Sequence, residues 1–98
     1  MALRGKHIYL RSLRETDFED FCAWYADGQV TRLLGMKPSP RDKTKTMFNQ
    51  LLNDPNGVYF GIIKKNEERI IGYAFLAKIL RSHRIAREFG IVIGDKNL

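Results

Sequence analysis

The 98-residue sequence predicts an α+β domain with its elements in the order β-α-α-β-β-β, and three observations carry that expectation. A short alternating run opens the chain. Two segments follow in which apolar residues recur at helical spacing. From residue 58 onward the period drops to that of strands in three successive runs. A chain of this length holds one core, burying about 60–65% of the surface its unfolded form exposes.

His7 to Leu13 alternates, with Ile8, Leu10 and Ser12 opposing Tyr9, Arg11 and Leu13, which suits a short strand. Thr16-Asp17-Phe18-Glu19 fits a capping box, in which a Thr hydroxyl and a Glu three residues on satisfy each other's backbone donors. Behind it Phe18, Phe21, Cys22 and Tyr25 make one apolar helix face, and Asp27-Gly28 supplies a stop. Gln29 to Lys37 reads as a connector. Ser39 as N-cap, Pro40 at the first helical position and Asp42 in the first turn start a second helix. Its apolar face holds Thr44, Met47, Phe48, Leu51 and Leu52, and Pro55 ends it.

Three strands follow, Val58 to Ile63, Ile70 to Leu80 and Ile85 to Ile93, separated by turns at 65–68 and 81–84. The central run is apolar on both parities, which calls for cover on both faces of the sheet. Two helices cover one face well. The last strand, carrying Phe89-Gly90-Ile91-Val92-Ile93, is expected at an open, apolar edge that invites another chain to pair, a homodimer among the outcomes.

Composition narrows the function classes. With 44% apolar and 29% charged residues the chain is of ordinary globular type. The longest uncharged apolar-rich run, Ile70 to Ala77, falls far short of the roughly 18–20 residues of a membrane span. The N-terminus, with Arg4, Lys6 and His7, does not resemble a secretory signal, and the one cysteine cannot form an internal disulfide. A cytoplasmic location is therefore expected. A net charge of +6 favours an anionic partner such as a phosphate-rich cofactor or nucleic acid. The excess gathers at Lys37, Arg41, Lys43 and Lys45, and again at Lys78, Arg81, Arg84 and Arg87.

Few residues carry a chemical signal. Cys22 lies on the buried helix face and reads as core. His7 and His83 have no metal-ligand spacing to a second ligand, so no metal site is expected. Glu88 stands out: a carboxylate within an apolar strand, where shelter disfavours the charged form and brings it towards the range of a general base. A strand carboxylate paired with Arg84 or Arg87 is the structural alternative.

Three stretches, Tyr9-Leu10-Arg11-Ser12-Leu13-Arg14-Glu15-Thr16-Asp17, Val30-Thr31-Arg32-Leu33-Leu34-Gly35 and Ile70-Ile71-Gly72-Tyr73-Ala74, occur in an order and spacing that resembles the GNAT acetyltransferase superfamily. Arg87-Glu88-Phe89-Gly90-Ile91-Val92-Ile93-Gly94 adds the strand that in these enzymes precedes the cofactor loop. The sequence is most similar to the branch that acetylates N-terminal amines of ribosomal proteins and to its polyamine- and antibiotic-modifying relatives. The resemblance implies the N-terminal part of an acyl-CoA N-acyltransferase fold, a mostly antiparallel four-stranded sheet. It implies acetyl-CoA entering beside the last strand, with the backbone at Ile91, Val92 and Ile93 pairing with its pantetheine arm. A primary amine on a small molecule or peptide attacks the thioester directly. Glu88 matches a position that faces the acceptor amine, as base or anchor. Val30, Thr31, Leu33 and Leu34 fall where such enzymes line the acceptor pocket.

The family's pyrophosphate loop, a basic glycine-rich turn at a helix N-terminus, is expected after Leu98. Residues 1–98 thus read as a single, truncated domain that does not catalyse acetyl transfer alone. Two rival readings come from other classes. One is a basic nucleic-acid-binding module using Tyr59, Phe60, Tyr73 and Phe75, disfavoured because those strands also carry continuous aliphatics. The other is a non-catalytic domain that pairs through its open edge.

Overall fold

The computed structural model describes residues 3–4, 7–80 and 85–94. Strands β1 (Leu3–Arg4), β2 (Ile8–Ser12), β3 (Val58–Lys64), β4 (Arg69–Leu80) and β5 (Ile85–Ile93) each pair antiparallel with the next, in that spatial order. The expected sheet is there, with β1 adding a short strand at the edge beyond β2. Helices α1 (Phe18–Ala26), α2 (Gly28–Leu33) and α3 (Arg41–Leu52) fill the crossover between β2 and β3.

Local chemistry moves the helix starts from where the sequence places them. Thr16 is not an N-cap: it sits inside a 3-10 turn, Glu15–Asp17, that leads into α1. Asp17 stands at the N-terminus of α1 without capping it: its carboxylate reaches back instead, accepting from the Arg14 N–H at 2.9 Å and bidentately from Arg11 of β2 at 2.8 Å twice. That pair is nearly dry, with the Asp17 side chain 4% and the Arg11 side chain 18% exposed. It ties β2 to the start of α1. Asp27 does end α1, but α2 begins at once, and the same carboxylate accepts from the Gln29 N–H at 2.9 Å. Among the described glycines the left-handed backbone is at Gly35, φ 71°, and not at Gly28. Ser39 is likewise no cap. Its N–H donates to the Tyr25 carbonyl at 2.7 Å, leaving Pro40 at the cap of α3.

The helices bury one face of the sheet. Phe21, fully buried, sits at the centre, with ring centroids 4.7 Å from both Phe48 and Tyr73 and 5.1 Å from Trp24. Ile63, Ile70 and Val92 complete that core from the sheet. The strand register shifts between Ile62 and Ile63, so that Ile70 pairs with Ile63 while Gly72 pairs with Ile62. The bulge leaves Ile71 as the extra residue, and both Ile70 and Ile71 are buried. The opposite face is only partly covered, as expected, with Leu76, Phe89, Ile91 and Ile93 exposed there.

Several surface features take the bland course. Arg41 pairs with Glu19 and lies 4.9 Å from the centre of the Phe18 ring, while Lys45 stands 5.1 Å from it, so part of the first basic cluster braces α1 against α3. Cys22 is only half-buried and accepts from an Arg41 N–H at 3.7 Å. His7 is exposed. His83, Arg81 and Arg84 lie outside the described residues, as does the side chain of Arg87. The strand aromatics form no single stacking platform, because Tyr73 is buried in the core and Tyr59 stacks on Phe75 at 6.1 Å. No described helix is long and apolar enough to cross a membrane.

Candidate active site

Where the helix-covered face of the sheet meets β5, a cleft of about 200 Å³ opens between Leu51, Tyr59, Tyr73, Phe75, Ala77 and Glu88. The antiparallel register builds it. Val92 pairs with Tyr73, Gly90 with Phe75 and Glu88 with Ala77, so these residues share one parity and face the helices. Gly90 matters through its missing side chain: a Cβ there would stand 2.8 Å from Phe75 Cζ, so the ring lies against the β5 backbone and frames the cleft.

The floor is held by two buried phenols, the Tyr25 and Tyr73 hydroxyls 2.8 Å apart. Burial pushes both above the ordinary phenol value. On the wall, the Tyr59 hydroxyl donates to Asp54 Oδ2 at 2.7 Å. Burial first, and then the carboxylates of Asp54 and Glu88, push Tyr59 up to about 12. Asp54 in turn is lowered by accepting from Tyr59 and from the Asn56 N–H. The phenols here are neutral hydrogen-bonding groups at physiological pH.

Glu88 supplies the negative charge in this lining. Its carboxylate is not sheltered as the sequence suggests. The side chain is 51% exposed, and its partner is Lys78, Nζ to Oε1 at 2.7 Å. Strand alternation alone would send Lys78 to the opposite face from Ala77 and Glu88. Its backbone, however, is left-handed at φ 53°, an arrangement that costs a lysine about 1–2 kcal/mol, and its ammonium reaches the cleft's carboxylate.

The four residues expected to line an acceptor pocket separate. Val30 and Thr31 are buried, 3% and 0% exposed, on the inner side of α2, and the Thr31 hydroxyl donates to the Asp27 carbonyl at 3.1 Å. Leu33 and Leu34 are exposed on the outer end of α2, at 85% and 37%. None of the four lines the cleft at Glu88.

At β5 the backbone divides by parity. The Gly94 N–H donates to the Ile71 carbonyl at 2.9 Å, and the Val92 carbonyl lies against Gly72, where a Cβ would stand only 2.2 Å from it. In an antiparallel ladder such residues turn both N–H and C=O inward. Val92 and Gly94 therefore bond to β4. Ile91 and Ile93 turn both groups outward, along an edge that no described strand covers. Of the three residues expected to pair with an extended ligand, Val92 is committed to the sheet and two have the geometry. Sequence reasoning also passed over Tyr59, Phe75 and Lys78 as cleft residues. The first two share the parity of Glu88 once the strand register is known, whereas nothing in the sequence marks the left-handed backbone at Lys78.

The sequence profile of the acetyltransferase (GNAT) domain matches residues 7–97. Among functionally curated proteins, none matches the chain. Among solved structures it is similar to a spermidine N-acetyltransferase from Vibrio cholerae in complex with CoA and spermine. The TM-score is 0.72 at 22% identity, covering 91% of this chain and 52% of that one. A GNAT-family acetyltransferase from Bacillus anthracis matches at TM-score 0.71 and 18% identity, over 96% of this chain and 54% of that one. A GCN5-related N-acetyltransferase from Brucella melitensis matches at 0.70 and 18%, over 96% and 45%. The chain thus spans about half the length of these solved relatives. With the profile matched along nearly its whole length, the chain belongs to the GNAT acetyltransferase family.

Proposed function

We propose that this chain forms the N-terminal part of an acetyl-CoA-dependent N-acetyltransferase acting on a primary amine. The observation that carries the proposal is the ammonium already seated on Glu88. Lys78 Nζ lies 2.7 Å from its carboxylate, beside a cleft whose other walls are aromatic and aliphatic. A carboxylate so placed takes an external alkylammonium by the same charge-assisted bond, and the walls accommodate the carbon chain behind it. Glu88 is then the amine anchor, and the group positioned to accept the proton an ammonium must lose before it is nucleophilic.

The outward N–H and C=O groups of Ile91 and Ile93 suit an extended, amide-bearing pantetheine arm, which pairs with them as another strand does. When bound, acetyl-CoA supplies an acetyl thioester open to direct attack by the amine. The chain's own contribution is orientation: the β5 edge fixes one reactant and Glu88 the other, on the same strand. The chain alone supplies one wall of this slot, so the proposal assigns it binding rather than turnover. Leu33 and Leu34, exposed on α2, are proposed to meet the remainder of the acceptor. A polyamine, or a protein N-terminus as in the ribosomal-protein branch, presents the ammonium this site takes.

Titration of the isotope-labelled chain tests the reading. Acetyl-CoA is expected to move the amide signals of Ile91 and Ile93, and n-butylammonium the side-chain carboxylate signal of Glu88. Glu88→Gln removes the second response and spares the first. Responses scattered over the basic surface, with neither the β5 edge nor Glu88 among them, overturn it.

A further inference from the structure

We propose that Lys78 is the protein's own first acceptor: with acetyl-CoA seated along β5, the Lys78 ε-amine takes the acetyl group and becomes Nε-acetyl-lysine. This rests on the acetyl-transfer reading and adds a self-modification site to it. On that reading the acceptor is whichever amine nitrogen Glu88 holds. Lys78 Nζ is already such a nitrogen, 2.7 Å from Glu88 Oε1. The antiparallel register sets Glu88 opposite Ala77, the residue before Lys78. The left-handed backbone at φ 53° then brings the ammonium round to the cleft, away from the face its parity assigns.

The transfer balances with acetyl-CoA as the one co-reactant. The Lys78 ammonium gives a proton to the Glu88 carboxylate, and the freed nitrogen attacks the thioester carbonyl carbon. The C–S bond breaks, CoA leaves as a thiolate, and the nitrogen sheds a second proton. One of the two protons ends on the thiolate and the other in solvent, and nothing is oxidised or reduced. This single event asks less of the fold than turnover does, because the acceptor is tethered and no second substrate has to be captured. With the Lys78 side chain 67% and the Glu88 side chain 51% exposed, the pair is solvated. Nζ therefore separates from the carboxylate at small cost to meet the thioester.

Acetylation changes what the site offers. The resulting amide carries no charge, so the internal competitor leaves Glu88 and its carboxylate opens to an external alkylammonium. Affinity for n-butylammonium is expected to rise by about 1.4- to 5-fold, the worth of a solvated pair read as a ratio. The first acetyl group thus primes the site for the next amine. Lys37, ahead of α3, and Lys43, on it, are also exposed, but neither lines the cleft. They serve as internal controls for ordinary lysine reactivity.

Incubation of the 98-residue chain with acetyl-CoA, followed by peptide mass spectrometry, tests the proposal. Lys78 is expected to gain the acetyl group at least about 10-fold faster than Lys37 or Lys43, at a rate that saturates in acetyl-CoA. Acetyl phosphate, which carries an acetyl group without an amide-bearing arm, is expected to show no such preference. Glu88→Gln is expected to bring Lys78 down to the rate of the other lysines, with the circular dichroism unchanged. Acetyl-CoA that moves the Ile91 and Ile93 amide signals yet labels Lys78 no faster than Lys43 overturns self-acetylation and leaves the acetyl-transfer reading standing. Acetyl-CoA that moves neither signal overturns both. An equal preference with acetyl phosphate, or one that survives Glu88→Gln, means plain lysine reactivity and overturns the proposal.

Discussion

Replacing Lys78 by Met measures how far the internal ammonium competes with an external one. The substitution keeps the aliphatic stem and removes the charge that sits 2.7 Å from Glu88. With the Lys78 side chain 67% and the Glu88 side chain 51% exposed, this is a solvated pair, worth about 0.2–1 kcal/mol. An incoming alkylammonium must displace Lys78 from the carboxylate and forgo that energy. Lys78→Met is therefore expected to tighten n-butylammonium binding by about 1.4- to 5-fold. Chemical denaturation of the same variant is expected to move stability by less than about 1 kcal/mol, since the left-handed backbone at position 78 remains. Affinity is read by titrating the Glu88 carboxylate signal in the two proteins. The reasoning is refuted if Lys78→Met leaves affinity unchanged or weakens it, because either result means that Glu88 is not the amine's seat.

Two further predictions concern the frame of the site. Asp17→Asn breaks a nearly dry pair with Arg11 and leaves the guanidinium without its counter-charge. A loss of about 3 kcal/mol is expected in denaturant titrations, a large part of what holds a domain of this size. At alkaline pH, the folded chain keeps the Tyr59 proton up to about 12, whereas the unfolded chain gives it up near 10. The stabilisation from this group is therefore complete below about pH 10 and declines as pH rises through 12. Tyr59→Phe is expected to make the alkaline fall in stability shallower, leaving the part due to Tyr25 and Tyr73, which shift in the same direction.

What could be read from the sequence follows the range of the forces involved. The strands were legible because their alternation is local: Ile85–Ile93 is where the pattern puts it, and β3 runs only one residue past its expected end. The inner faces of α1 and α3 were legible for the same reason. The helix starts were not, because distant partners decide them. Arg11 of β2 recruits Asp17, and the Tyr25 carbonyl recruits the N–H of Ser39. The helix Gly28–Leu33 was hidden because Asp27 serves two helices at once, and a stop signal was read where a new start also stood.

The site divides in the same way. Glu88 and the exposed edge of the last strand could be found from residue type and period. That Ile91 and Ile93, and not Val92, offer their backbone outward depends on one long-range bond, from Gly94 to Ile71. The partner of Glu88 depends on a left-handed lysine that no propensity foretells. The resemblance implies that Val30 and Thr31 line the acceptor pocket, but it does not fix which way each position of the six-residue helix faces, and in the structure these two are buried.

Among the described residues, the outer edge of β5 offers the backbone of alternate positions only. Residue-resolved amide hydrogen exchange on the dilute monomer tests it most directly. Slow exchange is expected at Val92 and Gly94, fast exchange at Ile91 and Ile93, and protection of that second pair when acetyl-CoA is added. Uniform protection along residues 91–94 without ligand, or protection by acetyl-CoA that leaves Ile91 and Ile93 untouched, would contradict it.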